Sequence, residues 1–260
     1  MNFALAELSG IIGSFFWPFI RIGAMLMAAP IFSANYINTR FRLLLALVIT
    51  MVVVPTINTP MPQVNAISAE GLLLIAQQIL IGVCIGFMLQ LLFNAFIIAG
   101  QIIAMQMGLG FASLVDPQNG QTVPVISQFY LIFVSLIFVS INGHLVLIQV
   151  LAESFITMPI GAGGLAIDSF RDVALLGSWM YAAAVLIALP AIGSLTMVNL
   201  AFGILSRAAP QISPFSIGFP MSIILGFVIM LVTLPLVGQH LIHLSEEMLQ
   251  MTRQLVQSNG

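Results

Sequence analysis

The side chains that could carry out catalysis or bind metal are few and scattered in this sequence. Three histidines are present, His144, His240 and His243, and none stands at a metal-ligand spacing from a carboxylate. The absence of lysine excludes a phosphate-binding loop lysine and Schiff-base chemistry. The single cysteine, Cys84, lies in an apolar run and predicts a buried thiol. We therefore expect no enzyme, no metal site and no cofactor.

The composition predicts an integral membrane protein. Of the 260 residues, 60% are hydrophobic and only 5% are charged, and the mean hydropathy is +1.16. Soluble domains carry roughly a quarter charged residues. Six arginines stand against eight acidic residues, a balance that gives no indication of a nucleic-acid partner.

Two charged residues lie in or at the edge of apolar runs, Arg21 and Glu153. A charge within a membrane segment is first considered a functional site. An ion or proton pathway would need several acidic or histidine side chains facing one another, and the other acidic residues fall at segment ends or in loops. We therefore favour a structural role for both, in contact with a neighbouring chain or with lipid headgroups.

The apolar stretches predict an all-α protein of about six hydrophobic, kinked helical segments arranged in hairpins. The third stretch, residues 71–106, would form a helix about 50 Å long or longer, which exceeds the roughly 30 Å hydrocarbon core of a bilayer. It is either two spans broken near Asn94 and Gly100 or one long kinked helix. The stretches are 11–32, 43–54, 71–106, 123–152, 173–205 and 215–244.

Several local patterns predict helix ends and contacts. Ser68 is expected to cap the third segment, with Glu70 in its first turn. Prolines inside the later segments predict kinks; they are Pro124, Pro190, Pro220 and Pro235. Small-residue pairs favour close helix approach; they are Gly82 with Gly86, Ala24 with Ala28, and Ala95 with Ala99. One apolar stripe makes the end of the chain an amphipathic helix; it contains Leu241, Leu244, Met248, Met251 and Leu255.

A turn-rich break separates two uncharged apolar stretches at residues 105–121. Gly108 and Gly110 interrupt the helical pattern, and Pro117 restricts the residue before it to extended backbone. Non-helical backbone at membrane depth is tolerated where protein buries it or where it lines a wet cavity. The break is therefore a loop at a membrane face or inside a pore. Core packing is the ordinary role of its bulky side chains, but they could also form a deformable seal; these are Met105, Met107 and Phe111.

Arg207 is a lone cation at the bend before the last apolar segment. Two interpretations remain open at this stage. It either anchors the bend on the positively charged side of a membrane or forms a salt bridge to a partner subunit.

The chain resembles the FliR family of flagellar biosynthetic proteins, equivalent to the SctT/SpaR/YscT subunits of type III secretion systems. The resemblance covers essentially the whole chain, and its most specific part surrounds Arg207. The matching stretches are 106–117 (QMGLGFASLVDP), 142–145 (NGHL), 158–161 (MPIG), 199–211 (NLAFGILSRAAPQ) and 217–220 (IGFP).

This resemblance implies a subunit of a helical export-gate complex in the bacterial inner membrane, at the flagellar basal body. Its partners would be FliP-like and FliQ-like subunits, FlhA-like and FlhB-like export components, and unfolded protein substrates. Residues 1–172 would form a FliP-like part that carries a pore loop, and residues 173–260 a FliQ-like hairpin with the amphipathic tail. The assembled subunits of this family lie largely outside the membrane plane.

The resemblance also implies roles for single residues. The loop at the break would plug the channel, with the constriction formed by Met105, Met107, Gly108, Gly110 and Phe111. Arg207 would lie at a subunit interface. Two rival classes remain, a stand-alone polytopic small-molecule transporter and a lipid-embedded scaffold without a pore.

Overall fold

The chain is described by a computed structural model over residues 2–33, 37–57, 62, 64, 67–109, 113–115, 122–161, 167–208 and 218–257. Within these ranges the prediction of an all-α protein of hydrophobic segments is confirmed, and one short two-stranded ladder is added to it. A 3-10 turn, Val54–Thr56, follows α2. The helices are α1 (Asn2–Ala28), α2 (Thr39–Val53), α3 (Ala69–Gln106), α4 (Val125–Ser140), α5 (Gly143–Thr157), α6 (Ile167–Ala208) and α7 (Phe219–Gln257), and the strands are β1 (Ser113–Val115) and β2 (Thr122–Pro124).

Four stretches of helix in the described ranges are long and apolar enough to cross a membrane. They are Thr39–Thr56, Ala69–Gln106, Arg171–Ala208 and Phe219–Leu255. The pair α4 and α5 would make a fifth span, bent by 68°. The bend explains why residues 123–152, expected as one segment, form two helices. Asn142, at the junction, takes the left-handed conformation with φ 58°, which asparagine tolerates better than most residues.

The long apolar segment forms one unbroken helix, α3, of 38 residues. The alternative of two spans broken near Asn94 and Gly100 is therefore wrong. The predicted cap at its start is confirmed, because the Ser68 hydroxyl accepts a hydrogen bond from the backbone N–H of Gly71 at 3.0 Å. Such a bond satisfies one of the N–H groups that a helix start leaves without an internal partner.

The prolines behave according to their position in a helix. Pro190 and Pro235 lie inside α6 and α7, as predicted. Pro220 is the second residue of α7, and Pro124 immediately precedes α4. Kinks at these last two positions were a wrong prediction, because a helix start needs no N–H from proline and its fixed φ suits the first turn.

The chain divides into two compact units, each assembled from separate stretches of sequence. The first contains Met1–Leu91, Asn142–Leu176 and Glu246–Gly260, and the second contains Leu92–Ile141 and Gly177–Ser245. The family resemblance implies another division, at residue 172, between a FliP-like and a FliQ-like part. That division rests on likeness to partner subunits rather than on contacts within the chain, and it stays a prediction.

In the first unit, α1 and α3 run parallel and meet along small residues. A Cβ added to Gly82 would lie 2.9 Å from the Cβ of Ala24, and one added to Gly86 would lie 2.7 Å from the Cβ of Ala28. Two of the small-residue pairs singled out in the sequence therefore face each other. Close backbone approach through such pairs is typical of helices packed in membranes.

In the second unit, α3 and α4 run antiparallel. The rings of Phe93 and Phe138 meet edge to face with centroids 5.5 Å apart. Further along, a Cβ added to Gly100 would lie 2.6 Å from the Cα of Ser127. The segment that joins α3 to α4 therefore begins and ends at two helices that pack tightly against each other.

The amphipathic stripe near the end of the chain lies within α7, which continues to Gln257. Four of its five predicted members are buried, namely Leu241, Leu244, Met248 and Leu255, and Met251 is half-buried. The thiol of Cys84 is buried as well.

Replacing Gly86 by alanine tests the contact between α1 and α3. The new methyl group would lie 2.7 Å from the backbone oxygen of Met25, and overpacking of this kind costs about 1–3 kcal/mol. We expect Gly86→Ala to lower the midpoint of thermal unfolding of the purified protein in mild detergent.

Gly23→Ala in α1 is the matched control, because no atom lies within 4 Å of a Cβ added there. Alanine is favoured over glycine in a helix by up to about 1 kcal/mol, so this variant should be at least as stable as the parent. Equal stability of the two alanine variants would contradict the close approach.

Candidate functional site

The helix α3 ends in a hydrogen-bonded turn at the root of the predicted plug loop. The backbone N–H of Gly108 donates to the carbonyl of Met105 at 3.1 Å, and that of Leu109 donates to the carbonyl of Ala104 at 2.8 Å. Gly108 has φ 77°. This is the Schellman arrangement, in which a left-handed glycine satisfies carbonyls that the helix end would leave unpaired. Gly108 is therefore a helix terminator, as the sequence indicated.

The two methionines at this helix end lie in different environments. The side chain of Met105 is 72% exposed, whereas that of Met107 is fully buried. Met107 therefore holds the end of α3 in the second unit, and Met105 is free to contact another molecule. Their common role in a constriction, and that of Gly108, stays a prediction.

Two residues of α7 pack directly on this helix end. A Cβ added to Gly226 would lie 2.5 Å from the Cγ of Met107 and 2.7 Å from its Sδ and Cε. Conversely, a Cβ added to Gly108 would lie 2.7 Å from the Cε2 of Phe219. Each contact therefore places a large side chain of one segment where the other segment has glycine.

A polar bridge joins the same helix end to α6 and α7. The side-chain amide of Asn199 in α6 points its Nδ2 at the carbonyl oxygen of Gln106, at the long distance of 3.5 Å. Its Oδ1 accepts a hydrogen bond from the Ser222 hydroxyl of α7 at 3.0 Å. A carbonyl in the last turn of a helix has no internal partner, so Asn199 offers one to α3.

These contacts surround a cleft of about 350 Å³. Its walls combine the apolar side chains of Phe202 and Phe219 with the polar groups of Asn199 and Ser222, and Gly203 and Gly218 lie between them. The predicted plug residues Met105, Met107 and Gly108 line the cleft as well.

Beyond the helix end, part of the loop forms an antiparallel ladder. β1 pairs with β2 in the register Ser113 to Pro124, Leu114 to Val123 and Val115 to Thr122. β2 leads directly into α4, so the ladder brings the two ends of the connection together. No pattern in the sequence predicted these strands. Gly110 and Phe111, the other predicted plug residues, lie outside the described residues.

The structure adds members to the site that the sequence did not single out. Asn199 lies in a stretch that carries the family resemblance, so it was a detectable candidate. Phe219 also lies in such a stretch, 217–220. Ser222 and Gly226 carry no such signal, because one glycine in a chain with 21 glycines is not distinguishable by type.

Arg207 lies in the last turn of α6 and its side chain is exposed. A cation there is favoured by the negative end of the helix dipole. No ion pair or hydrogen bond joins it to any residue in the described part of the chain. Its proposed contact with a partner subunit stays a prediction.

The buried charge of Arg21 is satisfied within the first unit. Its Nε donates to the Gln78 Oε1 at 2.7 Å, and its Nη1 donates to the backbone oxygen and the hydroxyl of Ser154 at 2.8 and 3.1 Å. Its Nη2 donates to the carbonyl of Met158 at 3.0 Å, and the guanidinium lies over the Phe155 ring. Arginine here caps the C-terminal end of α5, where the helix dipole favours a cation.

The charge at Glu153 also has partners within the chain. Its Oε2 pairs with the Nε of Arg253 at 3.1 Å, and its Oε1 accepts from Gln149 at 2.9 Å. These contacts give Arg21 and Glu153 partners within this chain, whereas the sequence led us to expect a neighbouring chain or lipid headgroups. Among the residues described, no cluster of histidine, cysteine or acidic side chains could hold a metal ion.

Comparison with known proteins adds independent information. A family model described as "Bacterial export proteins, family 1" matches residues 12–248. The flagellar biosynthetic protein FliR of Pectobacterium carotovorum subsp. carotovorum is 39% identical over 236 residues, covering 91% of this chain and 90% of the relative. The protein of the same name in Escherichia coli (strain K12) is 38% identical over 242 residues, covering 93% and 92%. That of Bacillus subtilis (strain 168) is 30% identical over 230 residues, covering 86% and 87%.

Proposed function

Since the chain belongs to family 1 of the bacterial export proteins, with the FliR proteins of flagellar biosynthesis as relatives, it is a non-enzymatic component of the flagellar export apparatus, and we propose that it forms part of the export channel. In this proposal unfolded flagellar proteins cross the inner membrane through a gate at the flagellar basal body. The chain contributes one wall of that gate and the loop that closes it.

The observation that carries the proposal is the way the loop between α3 and α4 is held. Its first residues are fixed by the glycine turn at Gly108 and by the buried side chain of Met107. Its last residues form β2 and lead into α4, which packs closely on α3 at Gly100. Both roots of the loop are therefore held in the second unit, so the segment between them starts and ends at fixed points, as a closing element requires.

The exposed surface of the single chain supports assembly with other subunits. Several large apolar side chains on the two longest helices are more than half exposed. Those on α6 include Met197, Leu200 and Ile204, and those on α7 include Phe227, Leu231 and Val232. Proteins rarely expose such extended apolar faces to water, so these faces are suited to contact with lipid or with a neighbouring protein. We propose that FliP-like and FliQ-like subunits cover much of this surface and that FlhA-like and FlhB-like components contact the assembled gate.

The alternative of a stand-alone small-molecule transporter finds less support. Such a protein would use polar or ionisable groups within its spans to bind or conduct its substrate. Within the described ranges the one fully buried charged side chain is Arg21, and its hydrogen bonds hold helices of the first unit together. The export-gate proposal requires no such substrate site.

Removing the loop tests the plug. We expect replacement of residues 110–121 by a short Gly-Ser linker to raise the passive flux of small ions through membranes of cells that produce the complex, because the closing element is gone. The flux is measured alongside recovery of the partner subunits, which shows that the shortened chain still assembles. Unchanged flux through a fully assembled complex would contradict the plug.

Arg207→Ala tests the proposed subunit contact. Loss of one partner from a buried, hydrogen-bonded charge pair costs roughly 2–5 kcal/mol, so recovery of partner subunits with the tagged chain should fall by at least tenfold. Arg171→Ala is the matched control, because Arg171 is also an exposed arginine of α6 but lies near its other end. Equal recovery with both variants would remove Arg207 from the interface.

A further inference from the structure

An apolar groove of about 380 Å³ lies in the first unit between α1, α2 and α3. None of the residues that line it has a polar side chain. A site for a polar small molecule would carry a few placed polar groups among its apolar walls, so this groove is suited to hydrocarbon. Its largest lining side chains are Phe19, Ile20 and Met27 of α1, Leu43 of α2, and Ile79 and Val83 of α3.

Gly23 keeps the groove open beside the tight seam of α1 and α3. Ala24 and Ala28 line the groove and also face the glycines of α3 closely, whereas no atom lies within 4 Å of a Cβ added to Gly23. Two side chains that line the groove are about half exposed, Met27 at 52% and Leu43 at 44%. The chain itself therefore leaves apolar surface uncovered along this groove.

The groove has the length of one membrane leaflet. Its residues on α1 extend from Phe19 to Ala28, a rise of roughly 14 Å at 1.5 Å per residue. The hydrocarbon core of a bilayer is roughly 30 Å thick, so one leaflet contributes roughly 15 Å. An acyl chain that lies along α1 would therefore be covered over the depth of one leaflet.

A cation stands beside the groove with its charge unpaired. Arg40 precedes Leu43 by three residues in α2, and this spacing places both on the same face of the helix. The Arg40 side chain is exposed. Among the described residues no ion pair or hydrogen bond engages its guanidinium, because the bond to Asn38 uses its backbone N–H. Arg40 is therefore available to an anion at this place.

The two ends of the groove differ in charge. A connection of residues 29–38, which contains no acidic residue, joins the end of α1 to the start of α2. Arg40 therefore lies at the end of the groove where α1 ends. Since α1 and α3 run parallel, Glu70 in the first turn of α3 lies towards the opposite end. A bound molecule with one negative end would take a defined direction here.

We propose that this groove binds one acyl chain of an anionic phospholipid and that Arg40 binds the phosphate of its headgroup. Basic residues beside membrane segments attract anionic lipids, and the start of α2 favours a negative charge through its helix dipole. The apolar walls remove the acyl chain from water. All the residues involved belong to the first unit, so the proposal depends neither on the plug nor on Arg207.

Photocrosslinking of the assembled complex tests the proposal. The complex is purified in mild detergent, mixed with phosphatidylglycerol that carries a diazirine on one acyl chain, irradiated and digested, and the labelled residues are identified by mass spectrometry. We expect label on groove residues of α1 and on Leu43. Phosphatidylcholine with the same diazirine has no net charge and should label them about fivefold less, which corresponds to the roughly 1 kcal/mol that one arginine contributes near an anionic surface.

A leucine at position 23 tests the groove itself. Gly23→Leu fills the space that the acyl chain would occupy and spares the seam, because no atom lies within 4 Å of the new Cβ. Two groups cannot share one closely packed volume, so labelling should fall by about tenfold or more. Gly13→Leu is the matched control, since it also lies in α1 with no atom within 4 Å of an added Cβ but does not line the groove; it should label as the parent does.

Substitutions of Arg40 test the headgroup contact. Arg40→Gln removes the charge and should lower labelling by phosphatidylglycerol about fivefold, to the level of phosphatidylcholine. Arg40→Lys keeps the charge and should retain most of the preference. Labelling by phosphatidylcholine should be the same in the parent and in both variants.

Each other result overturns the proposal. Absence of label from the groove of the assembled parent complex would mean that a neighbouring subunit covers it. Equal labelling of Gly13→Leu and Gly23→Leu would place the acyl chain elsewhere. Equal labelling by the two lipids in the parent would remove the anionic headgroup. Should Gly23→Leu not assemble, the Arg40→Gln complex decides, since loss of the lipid preference supports the site and its retention overturns it.

Discussion

The end of α3 is the constraint on which the second unit depends. An uninterrupted helix of 38 residues spans roughly 57 Å, and nothing in its apolar sequence would stop it before residue 107. Gly108 stops it by taking a left-handed conformation that other residues adopt at a cost. This single turn fixes where the loop to α4 begins and which methionine faces inward. Every proposed property of the plug follows from that position.

The first unit depends on one seam that combines glycine packing with a buried cation. The residues of α3 that face α1 are spaced by four, Gln78, Gly82 and Gly86, and the first of them binds Arg21. The small residues bring the helices close, and the arginine then reaches the C-terminal carbonyls of α5. In an apolar setting a charge is costly unless its hydrogen bonds are made. Here neutral oxygens accept those hydrogen bonds in place of a carboxylate, and the negative end of the α5 dipole favours the charge.

Much of this could be predicted from the sequence, because it depends on local physics. The cap at Ser68 and the terminating Gly108 act within one turn, and the four-residue spacing of the small residues in the α1–α3 seam can be seen on each helix by itself. The contact of Met107 with Gly226 could not be predicted, because it depends on which of many equivalent glycines the fold brings opposite a methionine. The bend at Asn142 was missed although Asn142-Gly143 is a turn signal, because long apolar stretches flank it on both sides. The plug role and the interface role of Arg207 concern other chains, and the residues of one chain can only suggest them.

The central claim is that this chain works as one subunit of a mixed assembly. The most direct measurement is the mass and composition of the particle that a tagged chain forms in mild detergent, purified from cells that also produce the neighbouring operon products. The account predicts a large particle in which this chain is accompanied by FliP-like and FliQ-like subunits. A stable particle that contains only copies of this chain would contradict it and would favour a transporter that acts alone.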